Sequence, residues 1–340
     1  MNMSDKSGNG FSRRRFTAKT SALGAASLLG LHGPAAAEPP PETRSIRLVR
    51  NVAICLAPQY LAEDLLRLEG FTDVEYVEAT AGPNLLLIEK GQADLTQEAA
   101  PALVYAMDGQ SSLVALAGIH AGCYELFGND KVRAVRDLKG KTIAVYALGG
   151  GDHVLLSSML AYVGMDPRRD VNWLAEKQGD AMRNFIEGKA DAFMGFAPQP
   201  QELRAKRVGR VIVNTAQDRP WSQYFCCMLL ANREFVAKYP VATKRSLRAF
   251  LKAADICAQD PERVARLLVA KGYEPRYDIA LEVLKSLPYR RWRESDPEDT
   301  LRFHALRLHE VGMIKSAPQK LIAQGTDWRF LSDLKRELKA

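Results

Sequence analysis

Ile88-Glu89-Lys90-Gly91-Gln92-Ala93-Asp94 returns later in the chain as Ile186-Glu187-Gly188-Lys189-Ala190-Asp191. Both stretches read as a helix end, a glycine turn and the first residues of a strand. Each sits between the second helix and the third strand of an alternating series. Around the first copy, residues 46–54, 74–77, 93–96 and 113–117 are strand-like, and residues 59–69, 83–91 and 100–107 have helical spacing. Around the second copy, residues 141–146, 171–174, 192–195 and 210–213 read as strands, and 153–163 and 181–187 as helices. Strand–helix alternation carrying an internal repeat predicts two α/β lobes, each built on a parallel sheet.

Beyond residue 231 the strand patterns stop. Residues 235–239, 241–258, 261–271, 279–287, 297–311, 318–323 and 328–338 all read as helices. Pro261, Pro297 and Pro318 take first helical positions, and Asp260 and Asp296 are suited to cap the helices they precede. A helical tail of this length needs a surface to pack on, and the first lobe is the expected one. The expected division is therefore 45–123 with 231–340 as lobe 1 and 124–230 as lobe 2, after a linker at 38–44. With 340 residues, 47% hydrophobic and 26% charged, the chain can bury two cores, which excludes a disordered or fibrous protein.

Residues 1–37 read as an address rather than as part of the fold. Ser12-Arg13-Arg14-Arg15-Phe16-Thr17 is a twin-arginine pattern, followed by a short apolar run and the small-residue site Ala35-Ala36-Ala37. The run is too short to span a bilayer, and no cysteine stands at the cleavage site to take a lipid. Export to the periplasm by the twin-arginine route is expected. The formal charge of +7 falls to +3 once these residues are removed, which leaves no footprint for a nucleic acid.

In open α/β sheets ligands gather beyond the carboxyl ends of the strands. Those positions nominate Gln59, Thr80, Gln97, Glu98 and His120 in the first lobe. In the second they nominate Gly150, Gly151, Asp152, His153, Phe196 and Gln199, with Trp221 and Tyr224 just before the strand that leads back. Phe196, Trp221 and Tyr224 would supply apolar walls. Glycines 149–151 between a strand and a helix let backbone amides approach a ligand, but no dinucleotide fingerprint or Walker lysine accompanies them. No arginine is among these positions, and Glu98 with Asp152 favours a neutral or nitrogen-bearing ligand.

No carboxylate stands at ligand spacing to His120 or His153 except Asp152, which as the sequence neighbour of His153 would not share its direction, so no metal and no cofactor are expected. The five cysteines, 55, 123, 226, 227 and 257, lack the spacing of a zinc site. Cys226 and Cys227 lie in a strand-like run, where neighbours point to opposite faces, and read as small buried hydrophobes. Tyr289-Arg290-Arg291-Trp292-Arg293 reads as surface charge. A nucleophile elbow is absent, so nothing asks for a reaction.

Three segments carry a family resemblance. They are Gly91-Gln92-Ala93-Asp94 with Ala100-Pro101-Ala102, then the run from Leu116 through His120-Ala121-Gly122-Cys123-Tyr124-Glu125 to Phe127, then Asp137-Leu138-Lys139-Gly140-Lys141 before a strand. Together they resemble the substrate-binding proteins of nitrate/sulfonate/taurine-type ABC importers. The resemblance implies a two-lobed α/β architecture of the type II-like periplasmic-binding-protein kind, with the helical C-terminal tail on the first lobe. It further implies a monomer that closes on a small organic solute, docks on an inner-membrane ABC permease and catalyses nothing. The same family is similar to the enzymes that make the pyrimidine of thiamine. Those carry three cysteines, phenylalanine and cysteine in a row, where this chain has only Phe225-Cys226-Cys227-Met228. An exported relative of those enzymes, or a solute sensor for another membrane partner, are the rival expectations.

Overall fold

The computed structural model describes residues 38–51, 53–78, 84–109, 112–175 and 180–339; the address read in residues 1–37 and the candidate Thr80 lie outside them. The first lobe holds strands β1 (Ser45–Val49), β2 (Asp73–Val77), β3 (Leu95–Ala99) and β4 (Leu113–Ala121). The second holds β5 (Tyr124–Gly128), β6 (Thr142–Val145), β7 (Asn172–Ala175), β8 (Ala192–Phe196) and β9 (Arg210–Asn214). The last strand, β10 (Phe225–Asn232), returns to the first sheet, although the sequence reading left most of it in the second lobe.

The two sheets have one plan, β2-β1-β3-β10-β4 and β7-β6-β8-β5-β9. In each, two strands flank a parallel partner and the fourth place is taken by an antiparallel strand, β10 or β5. The expectation of purely parallel sheets fails at that place. The reason is connectivity, because β5 and β10 are the strands on which the chain enters each sheet from the other lobe.

The sequence echo has a physical basis. Asp94 donates its backbone N–H to Arg47 O at 2.8 Å, and its Oδ2 accepts from Arg47 N at 2.7 Å, tying the start of β3 to the middle of β1. Asp191 does the same in the second sheet, with N–H to Thr142 O at 2.8 Å and Oδ2 accepting from Thr142 N at 3.1 Å. An asparagine closes each antiparallel strand in the same way: Asn232 N donates to Asp94 O and Asn129 N to Asp191 O, both at 2.9 Å. A buried sheet end needs all its amides paired, and a short carboxylate after a glycine turn supplies that pairing twice.

The lobes are joined by two crossings, from β4 to β5 and from β9 to β10. They touch at Gly122, whose φ of +63° is open to glycine at little cost and where a methyl group would lie 2.3 Å from Ala216 Cα. Thr215 fastens them together: Oγ1 accepts from Cys123 N at 3.2 Å and from Tyr124 N at 3.0 Å, and donates to Tyr124 O at 2.8 Å.

The tail consists of the expected helices, from Arg233–Lys238 to Arg329–Glu337. Asp260 and Asp296 cap as predicted, accepting from Arg263 N at 3.1 Å and Glu298 N at 2.9 Å. Helix Pro240–Gln259 packs on helix Ala57–Leu68 and holds the buried Glu69 with Arg248, 2.6 Å away. Helix Pro297–Glu310 packs on Ala100–Met107 of the first lobe and on Gly151–Tyr162 of the second. The segment 289–293 is not the surface patch expected of it. Tyr289 and Trp292 are buried beneath β4, and Arg293 pairs with Asp255 at 2.5 Å. Its aromatic residues decide its place, and its arginines follow.

Candidate functional site

The strand ends of both sheets converge on a cavity of about 420 Å³. The first lobe contributes Arg50, Asn51, Cys55, Asn84, Gln97 and Glu98; the second contributes Tyr124, Tyr146, Gly150, Gly151, Asp152 and Phe196. Six of the nominated residues therefore meet here: Gln97, Glu98, Gly150, Gly151, Asp152 and Phe196.

Gln97 is fully buried, and both its amide nitrogen and its amide oxygen lack a hydrogen-bond partner. Its position is fixed from behind, where its backbone N–H donates to Gln59 Oε1 at 3.3 Å. Across the cavity the buried Tyr146 hydroxyl is also unpaired. Glu98 Oε1 accepts from Ala99 N at 2.8 Å, yet burial pushes its carboxyl up to about 7. Asp152 accepts from Tyr146 N at 2.6 Å, and burial raises it to about 6. Both carboxyls are therefore poised to exchange a proton or to accept an N–H near neutrality. Phe196 meets Tyr124 and Tyr146 edge to face, with centroids 5.6 and 5.5 Å apart, and forms one wall.

Gly151 opens the helix that faces the cavity. A methyl group there would lie 2.5 Å from the Tyr124 hydroxyl and 2.9 Å from Ala99 Cβ, at the seam where β3 meets the second lobe. Glycine is required at this point for the lobes to approach.

The other nominated residues among the described ones lie outside the cavity lining. Gln59 turns back to donate to Val49 O at 2.8 Å and braces the sheet. His153 Nδ1 accepts from Gly149 N at 3.0 Å and its ring meets Trp173 edge-on, so it props the glycine loop; burial keeps it neutral, down to about 4. Gln199 begins the helix after β8. Trp221 and Tyr224 sit behind the crossings with Tyr162 and Phe303, Tyr224 stacked on Phe303 at 4.2 Å. They are walls of the joint between lobes, because β10 begins on the first-lobe side of the crossing. His120 lies behind the cavity floor, fully buried, with Nδ1 3.0 Å from Gly122 O.

Sequence reasoning missed Arg50 and Asn51 because it carried the first strand to residue 54, whereas β1 ends at Val49 and a 3-10 turn, Ile54–Leu56, carries the apolar run into the helix. The cavity thus has an arginine at its edge, 3.2 Å from Glu78 and over the Tyr273 ring, contrary to the expectation of none. It also missed Cys55, Cys123 and Cys227, which line the floor.

A second hollow, of about 490 Å³, lies between β5, helix Gln199–Lys206 and helix Tyr277–Ser286. Its charges are paired among themselves: Arg204 reaches both oxygens of Glu125 at 2.6 Å and Glu282 at 3.0 Å. The smaller cavity, which the strand ends of both lobes share and into which Gly150 and Gly151 open a helix start, is the better ligand site.

Residues 64–270 match the NMT1-like family. No curated protein sequence matches the chain. Among solved structures, the periplasmic nitrate-binding protein NrtA from Synechocystis superposes with a TM-score of 0.68 at 16% identity, over 88% of this chain and 90% of that one. The alkanesulfonate-binding protein SsuA from Xanthomonas axonopodis, solved with MOPS bound, gives 0.66 at 19% identity over 86% and 100%. A Candida albicans gene product with the generic periplasmic binding protein fold gives 0.67 at 13% identity over 83% and 96%. At these identities the likeness establishes the fold.

Proposed function

The chain belongs to the NMT1-like family, and on that footing we propose that it is the solute-binding component of an ABC importer, which captures a small organic solute in the 420 Å³ cavity and releases it unaltered. The observation that carries this reading is the cavity shared by Gln97 and Glu98 of one lobe and Tyr146, Asp152 and Phe196 of the other, with the buried Gln97 amide and Tyr146 hydroxyl left without partners. A buried polar atom without a partner costs about 1–3 kcal/mol. A solute offering both donors and acceptors recovers that loss. The volume lies within the roughly 300–1,000 Å³ usual for small-molecule sites.

The solute is a flat, neutral or nitrogen-bearing molecule. Phe196, Tyr124 and Tyr146 give it an aromatic wall, and Glu98 and Asp152 accept its N–H groups. The adjoining reading is that the protein works in the periplasm, reaches it by the twin-arginine route, acts as a monomer and delivers to an inner-membrane permease. The nitrate- and alkanesulfonate-binding neighbours support the solute-binding part of this reading, and the nitrate-binding one its periplasmic location.

The test is a thermal-shift screen of pyrimidines, amino acids, polyamines, sulfonates and nitrate. A solute at a hundred times its Kd stabilises by about 2.7 kcal/mol. Its Kd is then measured by calorimetry, where Gln97→Ala and Glu98→Gln are each expected to weaken binding at least tenfold. Binding that is unchanged in both variants sinks the assignment of the cavity. Recovery of a chemically altered compound would instead establish the enzyme reading.

A further inference from the structure

The five sulfur and imidazole groups beneath the cavity come from three distant parts of the chain. Cys55 lies on the 3-10 turn after β1, His120 on β4, Cys123 in the crossing, and Cys226 and Cys227 on β10. The donor atoms of Cys55, His120 and Cys227 all lie within 4.8 Å of one another, and so do those of Cys123, Cys226 and Cys227. All five cysteines of the chain are free thiols, and Cys257 lies apart, buried in the tail helix Pro240–Gln259. In a regular strand Cys226 and Cys227 would face opposite ways. The pairing of β10 with β4 shifts register on both sides of Cys227, and such an irregularity re-aims side chains so that both sulfurs reach Cys123.

His120 carries the second, independent indication. Its Nδ1 lies 3.0 Å from Gly122 O and 3.3 Å from Ala121 O, and a carbonyl only accepts, so Nδ1 holds the proton. Nε2 is left with its lone pair, fully buried and without a hydrogen-bond partner, beside two sulfurs. This is how a metal-binding histidine is oriented, its outer nitrogen tied to a backbone carbonyl. Tyr289 completes the support. Its ring meets His120 edge-on at 5.2 Å, and its hydroxyl donates to Cys55 O at 3.2 Å, holding two donors in place.

We propose that Cys55, His120 and Cys227 bind a Zn²⁺ ion on the floor of the cavity, with a fourth position open to Cys123 or to a molecule in the cavity. Two thiolates and an imidazole are soft-to-borderline donors of the kind this d10 ion selects. Two thiolates also neutralise its charge, which a buried site requires. Binding releases two protons, one from the Cys55 thiol and one from the Cys227 thiol, while His120 Nε2 coordinates through its lone pair, and nothing is oxidised. Tetrahedral bonds of about 2.3 Å to sulfur and 2.0 Å to nitrogen place donors roughly 3.5–3.8 Å apart, so the cluster contracts by about an ångström at most. Cys55, Cys123 and Cys227 line the cavity, which gives the ion a way in. The site stands whether or not an organic solute also occupies the cavity.

The experiment titrates the purified, reduced chain with Zn²⁺ against a chromophoric chelator, and with Co²⁺ as a spectroscopic stand-in. One equivalent should bind with release of two protons, and Co²⁺ should show the sulfur-to-cobalt charge-transfer band and tetrahedral d–d bands. Cys55→Ser and Cys227→Ser should each weaken binding about a hundredfold, and Cys257→Ser should leave it unchanged. Should a variant fail to fold, alkylation mapping of the wild-type chain decides: Zn²⁺ must slow labelling of Cys55 and Cys227. No stoichiometric binding, a Co²⁺ spectrum without sulfur bands, or labelling indifferent to Zn²⁺ overturns the proposal.

Discussion

Removing the Asp94 carboxylate tests whether the repeated aspartate holds each sheet together. Its Oδ2 accepts from Arg47 N at 2.7 Å, and the guanidinium of Arg47 approaches Oδ1 at 2.6 Å and Oδ2 at 3.2 Å. The Arg47 side chain is 37% exposed, so the ion pair contributes at most about 1 kcal/mol. The amide bond is different, because a carboxylate acceptor contributes about 1.5–3 kcal/mol and its loss strands an N–H in the sheet. Asp94→Ala should therefore cost about 3 kcal/mol, and Asp94→Asn, which keeps an acceptor for that N–H, about 1. In the second sheet Asp191 accepts from Thr142 N at 3.1 Å and from Asn129 Nδ2 at 2.9 Å, with no guanidinium on it among the described residues, so Asp191→Ala should cost about 2 kcal/mol. Near 2.1 cal/mol/K per residue over some 300 residues, 3 kcal/mol lowers Tm by about 5 °C. Calorimetry gives the ranking, and amide exchange at Arg47 and Thr142 reports each brace locally. If Asp94→Asn is as damaging as Asp94→Ala, or if the Arg47 amide keeps its protection in Asp94→Ala, the bracing argument is wrong.

Three further outcomes are expected. Gly151→Ala forces Tyr124 and Ala99 away from the helix start, an overpacking of about 1–3 kcal/mol. It should weaken solute binding about tenfold in calorimetry, and an unchanged Kd with unchanged Tm would refute the close approach. Gln97→Met removes two unpaired buried polar atoms and should leave Tm equal or higher while abolishing solute binding; a clear fall in Tm counts against the cavity being built for a guest. For pH, Glu98 and Asp152 are raised by burial to about 7 and about 6, so the stability they favour is full below pH 4 and is lost as pH rises through 6 and 7. His153 and His304, lowered by burial to about 4 and about 3, act oppositely, and their contribution is lost as pH falls from 6.5. The groups acting on Glu98 are the Ala99 N–H, which opposes the rise, and Cys55, which adds to it. In Tm measured from pH 6 to 8, Glu98→Gln should flatten the decline, and an identical slope would contradict the assigned environment.

What could be read from the residues was what depends on spacing. The echo ending in Asp94 and Asp191 revealed two lobes because a glycine turn and a short carboxylate meet the same local demand twice. The caps Asp260 and Asp296 were legible for the same reason. Gly150, Gly151 and Asp152 followed from their position after a strand, whereas Gln97, Glu98 and Phe196 lie within the last residues of β3 and β8, which run further than the spacing suggested. What failed depended on where a strand stops or which sheet it joins. The apolar residues that resume after Arg50-Asn51 hid the end of β1, and Arg50 with it. Trp221 and Tyr224 were misplaced because β10 belongs to the first sheet. The cysteines were illegible because the register shift in β10 and the approach of Cys55, His120 and Cys123 are tertiary events, invisible to spacing along the chain.

The unpaired atoms of the cavity also bear on how closure would be driven. A guest that binds both conformations equally shifts nothing, and moving a population from 1:99 to 99:1 takes about 5.5 kcal/mol of differential affinity. Gln97 belongs to β3 and Tyr146 follows β6, and both line the cavity, so a guest that paired with both would favour the arrangement in which the two lobes share it. Pairing their three orphaned atoms recovers about 3–9 kcal/mol before the entropy of binding is counted. That range brackets what a nearly complete switch requires. The same groups that would recognise the solute would therefore be sufficient to close the protein on it.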